Sequence, residues 1–246
     1  MSVGYTASGS GHVAAVERFF DDPFRYLGKD HLVRIRARIV ASLLAPLPSA
    51  SVLDAGCGDG SVSLPLLEFG NRVAFLDPSK KMLELARTRV PERHSSDAEF
   101  LAMLLEDLPP HRVFDVVLAM GLLAHVDSVE KAFARIVAHC RSGGTIIIQL
   151  TDCDSLLGRL NLGYCNLRER IAASFGYRLN RLSTSGLESL ARGFGCRFVL
   201  RQRYSLLMPG MTRLPNRLLY AKGVASLYWP LKLLGGESIL VFQKAT

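Results

Sequence analysis

Between residues 51 and 150, short apolar runs alternate with segments patterned as helices, and this rhythm restricts the fold more than any other feature of the chain. A short apolar run bounded by turn residues reads as a strand buried on both faces, and a helix after each strand makes a crossover. Such chains form an α/β domain around a largely parallel sheet. SVLDAG at 51–56 predicts the first strand, and GSVSLPLLEFG, from Gly60 to Gly70, predicts the helix after it, stopped by glycine. RVAFLD at 72–77 is the second strand, and Ser79 caps the helix SKKMLELARTRV. Ala98 to Ala102 gives the third strand and FDVVLAM at 114–120 the fourth. SVEKAFARIVAHC at 128–140 is an amphipathic helix with Val129, Phe133, Ile136 and Val137 on one side. The turn RSGG ends it, and TIIIQL at 145–150 is the fifth strand.

Before this core, Val13 to Leu47 predicts one or two helices, with Leu32, Ile35, Ile39 and Leu43 at helical spacing. After it, LESLARGFG at 187–195 predicts a helix, CRFVLRQRYSLL at 196–207 a strand and SILVFQK at 238–244 a last strand. A reversed last strand closes the sheet with an antiparallel edge. The expected architecture is a doubly wound, mostly parallel, Rossmann-like sheet of seven strands in a single domain, 1–246, with N-terminal helices at 13–47. Residues 50–151 form its cofactor-binding core. Two stretches, 152–182 and 208–237, read as lids over the strand ends, where open α/β sheets bind ligands.

The stretch VLDAGCGDG, from Val52 to Gly60, joins the first strand to the next segment. A dinucleotide fingerprint needs GxGxxG, but Ser61 stands where its third glycine belongs, and no Gly-Lys-Ser/Thr of a phosphate-binding loop occurs. Asp54 would repel a pyrophosphate and attract a sulfonium or an ammonium. Glycines at 56, 58 and 60 let a ligand approach the backbone. The turn therefore suits a cationic ligand that contains a nucleoside.

With Asp54, Gly56, Gly58 and Gly60 in a D-x-G-x-G-x-G pattern after a strand, the sequence resembles the class I S-adenosylmethionine-dependent methyltransferases over roughly residues 50–150. The resemblance implies S-adenosyl-L-methionine as cofactor, held at the turn by Asp54, Gly56, Cys57 and Gly58. Asp77, at the end of the second strand, is then the carboxylate for both ribose hydroxyls, two acceptor oxygens facing two donors. Pro78 and Met82 flank the adenine. The family's acidic residue four before a Leu-Pro pair falls on Leu104, so Leu105, Glu106 and Asp107 are the candidates at that position. Ala119 and Met120, with Gly121, border the methionine moiety.

Related quinone-type O-methyltransferases tend to carry acidic residues in the stretch after the fourth strand that can hold a metal. This chain has Gly121 and Ala124 there, and no His/Cys/Asp cluster has ligand spacing elsewhere, so no metal is expected. His125 is the candidate general base, with a pKa naturally near working pH. His31 and Tyr26 are secondary candidates near the acceptor and cofactor, whereas His12, His94, His111 and His139 read as surface residues.

Neither the Asp/Asn-Pro-Pro-Tyr pattern of base amino methylation nor a cysteine at the fourth strand end occurs, which disfavours nucleic acid and favours a small-molecule methyl acceptor. The formal net charge of +8 keeps an RNA- or protein-modifying methyltransferase as an alternative, beside a cofactor-binding protein of non-methylating function. Five cysteines, Cys57, Cys140, Cys153, Cys165 and Cys196, have no paired spacing and read as reduced thiols. The start MSVGYTASGSGH has no secretory apolar core and no transmembrane run follows, so a cytoplasmic location is expected. The apolar cluster LLYAKGVASLYWPLKLL reads as core, as a homodimer contact, as a pocket wall around Tyr228 and Trp229, or as an interfacial membrane helix with modest charge at Arg217, Lys222 and Lys232.

Overall fold

The structure, a computed structural model, describes residues 30–47, 49–160, 163, 179–206 and 215–246. The expected helical stretch at 13–29, Tyr26, His12, Cys165, much of the first lid segment and residues 208–214 of the second lie outside the described residues. The described chain runs from α1 (Asp30–Leu44) into β1 (Ser51–Ala55), then β2 (Arg72–Leu76), α2 (Lys80–Arg89), β3 (Ala98–Leu101) and β4 (Phe114–Met120). It continues with α3 (Val129–His139), β5 (Cys140–Thr151), α4 (Thr184–Gly193), β6 (Cys196–Tyr204), α5 (Asn216–Ala225) and β7 (Glu237–Lys244).

These strands form one seven-stranded sheet in the order β3-β2-β1-β4-β5-β7-β6. Parallel register joins β3, β2, β1, β4 and β5, and β7 is antiparallel to both of its neighbours. The expected α/β architecture with a reversed last strand is what forms. One detail differs: β7 lies inside the sheet, between β5 and β6, and β6 is the edge.

Alternate residues of each central strand feed two separate cores, which is why these strands read as nearly continuous apolar runs. Leu53, Val117, Ile146, Ile148, Leu240 and Phe242 point to the layer of α3 and α4, where Phe133, Ile136 and Leu187 are buried. Val52, Val116, Leu118, Ile147 and Val241 point the other way, to Ile35 and Val40 of α1 and Leu83 of α2. Asp115, the charge that interrupts the apolar stretch of β4, staples the lower edge of the sheet. Its carboxylate accepts from Ser51 N at 2.8 Å and Ser51 Oγ at 2.6 Å, and pairs with Arg141 at 2.5 Å. The Ser51 hydroxyl, followed by Arg141, holds this carboxyl below its ordinary range despite partial burial.

Two local expectations are corrected. The helix expected from Gly60 to Gly70 is a 3-10 segment, Leu64–Phe69, ended by Gly70 in the left-handed region. An α-helix from Gly60 would need a backbone N–H at Pro65 to bond the carbonyl of Ser61, and proline has none. RSGG is not a turn before a separate strand but part of β5: Phe114 pairs with Cys140 and Val116 with Thr145. The extra residues bulge from the ladder, with Gly143 at φ 68.

Candidate active site

The parallel strands end together, and the glycine turn leaves β1 at that edge. Gly56 N and Cys57 N both donate to Leu76 O, at 2.8 and 3.0 Å, which ties the turn to the end of β2. Gly56, Gly58 and Gly60 all have positive φ, 71, 55 and 71°, a region that side chains with a Cβ avoid. Gly60 also makes the close approach between turn, strand and helix: a Cβ there would lie 3.1 Å from Phe75 and 3.2 Å from Ala86. It does the packing work of a third fingerprint glycine from an earlier position.

The aspartates of the turn have different duties. Asp59 faces α2, where Arg89 bonds its carboxylate and also reaches Asp59 O at 3.3 Å and Ser61 Oγ at 2.6 Å. Asp59 is therefore a structural clasp. Asp54 is buried at the end of β1; its Oδ2 accepts from Ser63 Oγ at 2.5 Å, and its Oδ1 is buried with no partner among the described residues. Burial, only partly opposed by Ser63 and reinforced by the charges of Asp77 and Asp59, pushes this carboxyl up to about 7.

Asp77 follows β2 and faces the turn from the other side. Its Oδ2 accepts from Gly58 N at 2.9 Å and its Oδ1 from Ser79 N at 2.9 Å. Burial raises its pKa, and these two N–H donors hold the rise down. Each oxygen retains acceptor capacity, so a vicinal diol fits the same carboxylate. Burial, followed by the charges of Asp54, Asp77 and Asp59, lifts the thiol of buried Cys57 well above its ordinary range, so it is a packed neutral group in the turn.

The remaining predicted residues fall around this centre. Pro78 is half-buried, and Met82 is fully buried on α2, its N–H donating to Ser79 Oγ at 3.4 Å. Leu105, Glu106 and Asp107 form a single 3-10 turn after β3, with Leu105 in the core and both acids exposed. Ala119 and Met120 end β4, and Gly121 turns the chain at φ 87. At that φ a side chain would be strained, and a Cβ would meet Gln149 Oε1 at 3.4 Å.

His125 ends the short 3-10 turn Leu122–Ala124 and is half-buried. His31 is buried in α1, and His139, expected on the surface, is also buried: its Nδ1 lies 2.8 Å from Arg112 O. Among the described residues no group of three His, Cys, Asp or Glu side chains is arranged to hold a metal.

Two features of the site escaped the sequence. Asn180 clamps the turn that carries His125: its N–H donates to Ala124 O at 2.9 Å and its Nδ2 to Leu123 O at 3.1 Å and to Val126 O. No motif surrounds it. Beyond Gly121, Gln149 of β5 bonds Glu237 of β7, and Arg36 of α1 lies 3.7 Å from Glu237 and donates to the Tyr204 hydroxyl at 2.7 Å. A hint existed in Arg36, a charge set among the apolar positions Leu32, Ile35 and Ile39 of an amphipathic helix.

The sheet order defines an α/β protein, and its glycine turn and two buried carboxylates lie together at the strand ends. Residues 53–148 match a family described as methyltransferase domain. It is 28% identical over 131 residues to a ubiquinone biosynthesis O-methyltransferase of Rickettsia akari, a match that covers 52% of each chain. The chain thus spans about half the length of the curated relatives it matches.

Solved structures share the fold. A possible histamine N-methyltransferase of Thermotoga maritima is 23% identical, with a TM-score of 0.67 over 95% of this chain and 99% of the other. A 1,6-didemethyltoxoflavin N1-methyltransferase of Burkholderia thailandensis, solved with S-adenosylhomocysteine, is 20% identical, with a TM-score of 0.67 over 100% of this chain and 94% of the other.

Proposed function

We propose that this chain transfers a methyl group from S-adenosylmethionine to a small molecule, at oxygen or nitrogen, without a metal ion. The observation that carries the reading is the buried Oδ1 of Asp54, which has no partner among the described residues, beside a turn of three glycines. A buried carboxylate oxygen left unpaired is costly, and a cationic ligand seated in the glycine cradle offsets that cost. The same feature opposes a pyrophosphate.

When bound, S-adenosylmethionine supplies an electrophilic methyl on a sulfonium. Asp77 holds the ribose diol, the Gly56–Gly58 backbone takes the amino-acid end, and Pro78 with Leu105, Glu106 and Asp107 borders the base. Ala119 and Met120 wall the reacting side. The chain's task is to place the acceptor atom about 3 to 3.5 Å from the methyl, in line with the breaking carbon–sulfur bond, and to exclude water. His125 takes the proton of a hydroxyl acceptor as the new bond forms. Gln149, Glu237 and Arg36 form the polar floor on the acceptor side. The names of the relatives support both oxygen and nitrogen acceptors.

Thermal melts with S-adenosylmethionine, S-adenosylhomocysteine and NAD test the cofactor. At a hundred times its dissociation constant a ligand adds about 2.7 kcal/mol, a shift of roughly 5 to 10 °C for a chain of this size. Shifts with the first two ligands are expected, followed by label transfer from methyl-labelled cofactor to a panel of phenols and amines. A shift with NAD alone would overturn the reading; cofactor binding with no transfer to any acceptor would favour the non-methylating alternative.

A further inference from the structure

The positive charge of this chain is uneven along the sequence. Residues 189–236 contain eight Lys and Arg and no Asp or Glu, so the net excess of eight in the whole chain lies entirely within this segment. Arg203 turns inward to Asp152, at 2.7 Å. Arg217 and Lys222 of α5 are exposed, with no ion-pair partner among the described residues, whereas Arg192 lies on α4 in the opposite layer.

The same segment carries the main exposed apolar cluster. α5 buries Leu219 and Gly223, the latter so close that a Cβ would lie 1.9 Å from Ile35 of α1. Arg217, Leu218, Ala221 and Lys222 therefore share the outer face. The chain then folds back through bonds from Ser226 N to Lys222 O, Tyr228 N to Ala225 O and Leu233 N to Pro230 O, at 3.0, 3.2 and 3.1 Å. This presents Leu218 at 53%, Tyr228 at 62%, Trp229 at 74% and Leu233 at 54% exposure, with Leu231 and Leu234 also exposed. Large apolar side chains scattered singly need no explanation, but six exposed within 218–234, with Arg217 and Lys222 beside Leu218 on the outer face of α5, mark a contact surface.

Charge decides which surface fits. A second copy of the chain would bring an equally basic face against this one, and like charges oppose such a contact. Nucleic acid would use the cations but leave the leucines in water. An anionic lipid surface uses both: Trp and Tyr suit the headgroup level, leucines the acyl boundary and Lys or Arg the lipid phosphates. No helix among the described residues is long and apolar enough to cross a membrane.

We propose that α5 and the 226–234 segment dock the protein onto the surface of an anionic phospholipid bilayer. The docking is independent of the methyl-transfer reading and is tested without turnover. Trp229 is the one tryptophan of the chain, so its emission reports on this face. The full chain is titrated with phosphatidylcholine vesicles, with and without phosphatidylglycerol, and binding is confirmed by flotation. The expected result is a blue shift and flotation with the anionic vesicles, both weakened by added salt. Arg217→Ala combined with Lys222→Ala should lower the partition coefficient about 25-fold. Leu231→Ser combined with Leu233→Ser should also lower it, with unchanged circular dichroism because these side chains are exposed.

An emission spectrum indifferent to anionic vesicles at low salt would overturn the proposal, as would equal binding to neutral vesicles. Binding of a short RNA that shifts Trp229 emission where vesicles do not would reassign the face to nucleic acid. Self-association abolished by the leucine pair of substitutions would reassign it to a dimer.

Discussion

At the scale of single residues, Asp54 and Asp77 are both buried carboxylates at strand ends, yet their surroundings set them apart. Asp77 is held by two backbone N–H groups, and Asp54 by one hydroxyl. For Asp54 the folded pKa of about 7 lies above its ordinary value of 3.8. The folded chain holds that proton more tightly, so the group's contribution to stability is greatest below about pH 4 and is lost as pH rises through about 7. Asp54→Asn should therefore melt progressively above the unchanged protein across that window when no ligand is present. Superimposable differences at all pH values would refute the account. In the ligand-bound state the sign reverses: affinity for S-adenosylmethionine should rise with pH through about 7, and the Asn variant should lose that slope in calorimetric titrations. Asp77→Ala should weaken S-adenosylhomocysteine binding by about 1.5 to 3 kcal/mol, the scale of hydrogen bonds to a charged group. Unchanged affinity in a folded variant would remove Asp77 from the site.

At the scale of elements, the site depends on how short turns are fixed to strands. The turn after β4 has few bonds of its own, and Asn180 reaches it from beyond α3 and β5. Asn180→Ala removes two side-chain bonds to Leu123 O and Val126 O. A stability loss of about 1 to 3 kcal/mol is expected, with turnover lowered and cofactor affinity kept. A variant with unaltered kcat would show that the turn holds His125 without the clamp. What could be read in advance follows the same division. The strands at 51–55, 72–76 and 114–120 were legible because burial on both faces makes apolar runs, and the Asp-Gly-Gly-Gly turn because backbone conformation demands its residues. Asn180 was not legible, since it acts through partners remote in sequence. The bulge in β5 was hidden because RSGG is as good a turn as it is a bulge.

At the scale of the molecule, one sheet carries both cores, and among the described residues no strand stands apart from it. Urea unfolding followed by far-ultraviolet and near-ultraviolet circular dichroism should therefore give coincident transitions. Separated midpoints would mean that the β7 and β6 side unfolds by itself. The order of strands was the least legible level of all, because nothing local in SILVFQK says which neighbours it pairs with.

The position of β7 also sets a schedule for the nascent chain. Among the described residues β6 pairs with β7 alone, at 196–204 against 237–244, so it has no place in the sheet until the residues up to 244 have been made. At about 5 to 20 residues per second, ribosomes need roughly 2 to 8 s to travel from the end of β6 to the end of β7. Throughout that interval both β5 and β6 offer an open edge, the form in which strands pair with the wrong chain. The arginines at 197, 201 and 203 lie along β6 itself, and their mutual repulsion keeps two waiting copies apart.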